Sequence, residues 1–348
     1  MPKYVILFLW MLAIQIGASA TPAHTQELAL ADEDRFARLA EDNLKTNKAI
    51  LEGLKWLSSQ QRMDGSWTFT SGPDAGTLDA PIAATSMALL AFLQSGHSPT
   101  KGAYKENVLK GVDYLVRHVN VGRNGADMGE MGAEMYGHGL AAIALCEAYS
   151  RSSDPILRAP AQQVVDFIIY AQDPTGGGWR YQPRQPGDTS VFGWQMTALI
   201  AAKRGELIVP EQTFQNAGRF LDSVQSDDGS AFGYTTSGAG ICTTSVGLLG
   251  RLYLGAKSES SAIERGIAKS LVHGPREDDV YFNYFTTRLM REAGGNSREA
   301  WNQALRKVLL ETQEEDGSWS YKDNLFSQRA GRIGVTSMCI NALAITNE

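Results

Sequence analysis

One pattern constrains this chain more than any other. The run Gln61-Arg62-Met63-Asp64-Gly65-Ser66-Trp67 has the form Gln-x-x-x-Gly-x-Trp and returns as Gln313-Glu314-Glu315-Asp316-Gly317-Ser318-Trp319. Two looser copies lie between: Gln172 to Trp179, with one extra residue, and Gln225 to Phe232, where the aromatic slips by one place. Each copy follows one apolar helical pattern and precedes another, which is the mark of a repeat architecture. The motif reads as a helix stop. Its glycine supplies the backbone freedom of a tight exit, its glutamine can bond open backbone groups, and its tryptophan covers the turn while its N–H seeks an acceptor.

Around these stops two kinds of helix alternate. Segments 50–61, 108–119, 161–172, 214–225, 262–272 and 301–313 carry apolar residues at helical spacing on one face only. Segments 81–94, 136–149, 190–202, 243–254, 280–291 and 333–345 are apolar nearly all round, which requires burial on every side. Thr85 and Thr336 begin matching Thr-Ser-Met runs five repeats apart, so one repeat is about 50 residues. Half-wet and dry helices in strict turn call for two concentric layers. The expected fold is all-α: a closed α/α toroid of six helix pairs, dry helices inside, spanning residues 47–348. An open solenoid would need a polar terminal repeat, yet the last helix is as apolar as any.

The first 20 residues read as a targeting segment. Lys3 gives the positive start, 4–16 is an apolar run, and Ala18-Ser19-Ala20 is a small-x-small cleavage site. Cleavage is expected after Ala20, giving a secreted or periplasmic protein with no stable membrane span thereafter. Residues 21–46 form a charged arm or helix. The net charge of −6 and the lack of a basic run speak against nucleic acid as a partner. The 3 cysteines, Cys146, Cys242 and Cys339, sit in alternate dry helices and read as small buried side chains.

The Gln-x-x-x-Gly-x-Trp repeats on paired helices resemble those of squalene–hopene-type cyclases, and the β subunits of protein prenyltransferases share the toroid. The resemblance covers nearly the whole mature chain. It is closest to exported single-toroid prenyltransferase/squalene-oxidase-repeat proteins, whose activity is generally unassigned. Catalytic marks of these relatives do not carry over. Asp-x-Asp-Asp, the proton donor of polyene cyclases, is missing, the nearest run being Asp32-Glu33-Asp34-Arg35. Cys242-Thr243-Thr244-Ser245 is similar to the zinc cysteine helix of prenyltransferases. However, Gly240 stands in place of the aspartate and Phe282 near the place of the histidine, so no metal is expected. The Gly-Cys-Gly-Glu-Gln run of the complement thioester toroid is missing too. No cofactor is implied.

Polar and aromatic residues that interrupt the dry helices are the candidate site: Tyr136, His138, Trp194, Gln195, Asn283, Tyr284 and Arg288, with Tyr281 and Arg332 beside them. A polar group inside a packed ring must pair with another or line a wet cavity. Asp188, like Asp79 and Asp279, precedes a dry helix, where it reads either as an N-cap or as a carboxylate on a cavity rim. The glycine-rich stretch 122–132 replaces the motif in the second repeat and is expected to form a mobile flap over one mouth. Two functions remain in play. One is a binding module for an apolar, isoprenoid-like molecule or a protein partner. The other is a polysaccharide lyase or hydrolase using Tyr, His, Asn and Arg in the cavity. Whether the chain is an enzyme stays open at this stage.

Overall fold

The computed structural model describes residues 22–320 and 324–347, with side chains described from residue 40 on. The targeting segment therefore lies outside the described residues. Twelve α-helices make up most of the described chain, and sheet is confined to two two-residue ribbons, Val121–Gly122 with Gly125–Ala126 and Gln225–Ser226 with Ala231–Phe232. The helices are α1 (Pro22–Ser59), α2 (Pro81–Gln94), α3 (Lys105–Arg117), α4 (Glu134–Ser152), α5 (Arg158–Ala171) and α6 (Thr189–Arg204). They continue with α7 (Glu211–Val224), α8 (Ile241–Tyr253), α9 (Ser261–His273), α10 (Val280–Ala293), α11 (Gly295–Glu311) and α12 (Leu325–Thr346). The toroid unit comprises Thr46–Glu348, and the residues through Lys45 form a separate unit.

The two helix types do different work. Helix α3 buries Val108, Gly111, Val112, Tyr114 and Leu115, a single stripe at helical spacing, and α7 does the same with Thr213, Phe214, Ala217, Phe220, Leu221 and Val224. By contrast, every residue of α2 from Ala83 to Leu93 is buried. The even-numbered helices pack on one another in the order α2, α4, α6, α8, α10, α12, and α12 packs again on α2. Where the last repeat meets the first, the N–H groups of Thr77 and Leu78 donate to the carbonyls of Gln328 and Arg329, both at 3.0 Å. Arg332 pairs with Asp74 at the same seam and with Asp316 at 3.3 Å.

The repeated motif closes three outer helices in one way. The indole N–H groups of Trp67, Trp179 and Trp319 donate to the carbonyls of Leu57, Ile168 and Leu309, ten or eleven residues earlier, at 2.7–2.8 Å. Threonine hydroxyls at the head of three inner helices, Thr85, Thr244 and Thr336, accept from the backbone N–H of Trp67, Phe232 and Trp319. Phe232 thus fills the tryptophan position despite its shifted spacing. Two boundaries near the C-terminus differ markedly from the sequence expectation. Helix α11 starts at Gly295 rather than 301, and α12 starts at Leu325, eight residues early, and is broken at Gly331 (φ 58°). The break tracks the seam: a Cβ on Gly331 would stand 2.3 Å from the Gly76 nitrogen.

Candidate functional site

Five of the six inner helices present their N-terminal turns to a common cavity of about 750 Å3. Its walls come from the first turns of α2 (Ala83, Met87), α4 (Tyr136, Leu140), α6 (Ser190, Trp194), α10 (Tyr281) and α12 (Phe326, Arg329), and from Phe69 and Tyr181 in loops. The lining is mostly aromatic and aliphatic. Trp194 forms its packed floor, edge-on to Tyr281 and Phe285 at 6.0 and 5.0 Å and stacked on Tyr284 at 5.3 Å.

One carboxyl group stands out beside this space. Asp188 caps α6, its Oδ1 accepting from the Val191 N–H at 2.9 Å. The side chain is fully buried and its Oδ2 has no hydrogen-bond partner. Arg180 Nε stands 3.8 Å from that oxygen, within ion-pair range but beyond a hydrogen bond. Burial raises the acid's pKa above the usual carboxylate range against the pull of the Val191 bond and the Arg180 charge. Three tyrosines feel it in turn. Burial is the chief cause that raises the hydroxyl pKa of Tyr136, Tyr234 and Tyr281, and the Asp188 charge adds to it in each. The hydroxyl groups of Tyr181 and Tyr234 share a 2.6 Å hydrogen bond at the rim.

The candidate residues do not all meet here. Tyr136 and Trp194 line the cavity, and Asp188 lies two residues before Ser190 in its wall. His138 does not line it: its Nδ1 accepts from the Met128 N–H at 3.1 Å, its Nε2 donates to the Val164 carbonyl at 3.0 Å, and it packs on Phe167. Both ring nitrogens are used, and burial depresses its pKa to about 4. Gln195 spends its amide N–H on the Met135 carbonyl, and Asn283 bonds both the N–H and the carbonyl of Arg276. Tyr284 sits behind Trp194 and accepts from Arg288 at 3.1 Å, and Arg288 lies farther along α10. These five are corrections to a single shared site, and the reason is the same for each. In a ring of dry helices, a polar side chain between two helices finds a backbone or side-chain partner as readily as it finds open space.

Two further expectations change. Asp279 caps α10, but Asp79 does not cap α2. Instead Glu130, 48 and 47 residues away, accepts from the N–H groups of Ile82 and Ala83 at 2.8 and 2.9 Å. The stretch 122–132 is consequently not a loose flap. It is pinned by Glu130 on α2, by the Met128 bond to His138, and by Arg329 donating to the Gly132 carbonyl at 2.7 Å.

Phe69, Tyr181 and Tyr234 were not among the candidates, yet a signal for them existed. Each lies two residues after the motif aromatic, at Trp67, Trp179 and Phe232. In an extended segment this spacing turns both side chains to one side, the first over the turn and the second toward the cavity mouth.

No protein-family model matches the chain, and no curated protein matches it in sequence. Solved structures do match in fold. The type II terpene cyclase MstE from Scytonema superposes with a TM-score of 0.62 over 87% of this chain and 98% of the cyclase, at 13% identity. The α-1,6-mannanase GH76A of a Salegentibacter species gives 0.59 over 86% of this chain and 99% of the mannanase, at 12% identity. The class defined by fold and cavity is the α/α toroid with an aromatic chamber at its inner-helix N-termini. Within it the chain has a terpenoid-cyclase-like fold, shared by proteins of quite different chemistry.

Proposed function

We propose that this protein is an exported α/α-toroid protein that holds an apolar, isoprenoid-like molecule in the chamber at the N-terminal ends of its inner helices. The observation that carries this reading is the lining: a space of about 750 Å3 walled by Phe69, Met87, Tyr136, Leu140, Trp194, Tyr281 and Phe326, with few polar groups. That size suits a small organic ligand, and such pockets are mostly apolar with a few placed polar groups. The similar toroid MstE has been solved with geranylgeranyl dihydroxybenzoate bound, which makes a prenylated molecule a natural probe. Asp188 and the Tyr181–Tyr234 pair would orient a polar end.

The glycan lyase or hydrolase reading loses ground because His138, Asn283 and Arg288 are engaged elsewhere. It would have to rest on tyrosines alone.

Organic extraction of the purified protein followed by mass spectrometry should release an apolar molecule. Geranylgeraniol added to stripped protein should quench tryptophan fluorescence, and Ser190→Phe, which fills the chamber from α6, should abolish that quenching while leaving the melting temperature close to that of the parent. Quenching of equal size in Ser190→Phe would move the ligand out of the chamber. Export is tested separately: the mature protein recovered outside the cytoplasm should begin at Thr21.

A further inference from the structure

Hydroxyl groups gather in one part of the chamber wall. Tyr136 of α4, Ser190 of α6 and Tyr281 of α10 bring three, and Tyr181 adds a fourth from the loop before α6. They stand close together. The Tyr136 hydroxyl feels those of Ser190 and Tyr234, Tyr181 bonds Tyr234 at 2.6 Å, and the Tyr281 hydroxyl reaches the Ser190 carbonyl at 3.4 Å. Helix α2 gives the same space only Ala83 and Met87.

The charges of the wall are balanced. Its two charged side chains, Glu134 and Arg329, carry one charge of each sign, and both are tied to Gly132. Glu134 Oε1 accepts the Gly132 N–H at 3.0 Å, and Arg329 donates to the Gly132 carbonyl at 2.7 Å. Helix N-termini by themselves attract anions. Here the chain meets three of them with its own carboxylates, Glu130 on α2, Asp188 on α6 and Asp279 on α10. The Asp188 charge reaches the Tyr136 and Tyr281 hydroxyls, so a second anion among them would be repelled. A cation finds Asp188 fully buried, with Arg180 Nε already 3.8 Å from its Oδ2. A wholly apolar occupant would dry the hydroxyl groups and offer them nothing, at about 1–3 kcal/mol for each one left unpaired. A carbonyl oxygen accepts two hydrogen bonds and donates none, which suits hydroxyl groups with a proton to give.

We propose that the chamber selects apolar molecules that end in an uncharged oxygen acceptor, a ketone or quinone carbonyl, held by the hydroxyl groups of Tyr136 and Ser190. This rests on the chamber being the binding site and adds the chemistry of the ligand's head.

Four probes with one geranylgeranyl tail test it in the full chain at pH 7: a methyl ketone, a carboxylic acid, a primary amine and the plain hydrocarbon. Affinity is read by quenching of tryptophan fluorescence. The ketone should bind about tenfold more tightly than each of the others. Tyr136→Phe and Ser190→Ala should each narrow the gap between ketone and hydrocarbon, by up to about tenfold. Thermal melts establish that both variants are folded. Equal affinity for all four probes, tighter binding of the acid or the amine, or a gap unchanged in both variants would overturn the selection and leave the chamber as a binding site. Quenching by none of the four would remove the chamber reading and this inference together.

Discussion

The side-chain amide of Gln313 donates a 2.9 Å hydrogen bond to the carbonyl of Ala49, 264 residues earlier in the chain. The same NH2 group also bonds the Gly317 carbonyl of its own turn at 2.8 Å. Gln61 and Gln172 repeat this arrangement, each holding the glycine of its turn and a carbonyl of the next outer helix, at Asn107 and Thr213. The motif glutamine is therefore a clasp between successive outer helices, and at Gln313 it joins the last to the first.

Removing a clasp strands two backbone carbonyls. Gln172→Ala, at a buried position where Asn216 also donates to the glutamine, should cost about 2–3 kcal/mol in urea unfolding. Gln61→Ala and Gln313→Ala, at half-buried positions, should cost about 1–2 kcal/mol. Equal, negligible losses at all three would remove the glutamines from the account of how the ring is held.

Two glycines should respond in opposite directions. Gly177 has φ +84°, and a Cβ there would lie 2.0 Å from the Asn216 carbonyl oxygen. Gly177→Ala should therefore destabilise the protein by more than about 2 kcal/mol. Gly218 lies inside α7, and the nearest atom to its virtual Cβ is Leu254 Cδ1 at 3.7 Å. Gly218→Ala should raise stability by about 0.5–1 kcal/mol through helix propensity, read as a higher melting temperature.

Asp188 should behave as a group the fold would be steadier without in its charged form. Its folded pKa is raised, chiefly by burial, so the native state binds the proton more readily than the unfolded chain. Its contribution to stability then falls as pH rises through the carboxylate range. Asp188→Asn keeps the cap on Val191 and should be more stable than the parent at pH 7 and equal to it near pH 3. Asp188→Ala should lose about 1 kcal/mol with the cap. A less stable Asn variant at pH 7 would mean that the Arg180 pair outweighs burial.

His138 gives the opposite slope. Its folded pKa, about 4, lies below the ordinary histidine value, so on acidification the unfolded chain takes up the proton first. Stability should be full above about pH 6.5 and decline toward pH 4, by about 3 kcal/mol at most. His138→Gln should flatten that segment of the stability–pH curve. An unchanged slope in the variant would assign the acid sensitivity to other groups.

Much of the ring was legible before any coordinates. The spacing of Val108, Val112 and Leu115, against the unbroken apolar run of 83–93, separated outer from inner helices because burial on one face and burial on all faces leave different residue patterns. The start of α12 was not legible. Residues 325–332 carry Arg329 and Arg332, and their helical form depends on seam partners at Asp74, Thr77 and Gly132, remote in sequence. The site was legible only in part for a related reason. Tyr136 and Trp194 face the chamber, whereas His138 and Asn283, equally conspicuous in the sequence, face backbone groups of neighbouring segments.

The sequence by itself determined which helices are dry, where each one stops and that they come in pairs, since these follow from local periodicity and turn chemistry. Tertiary structure alone decided which polar side chains share a space. That choice turns on the rotation of each inner helix about its axis and on which distant carbonyl, such as Val164 for His138, comes within reach. A linear pattern holds no record of either.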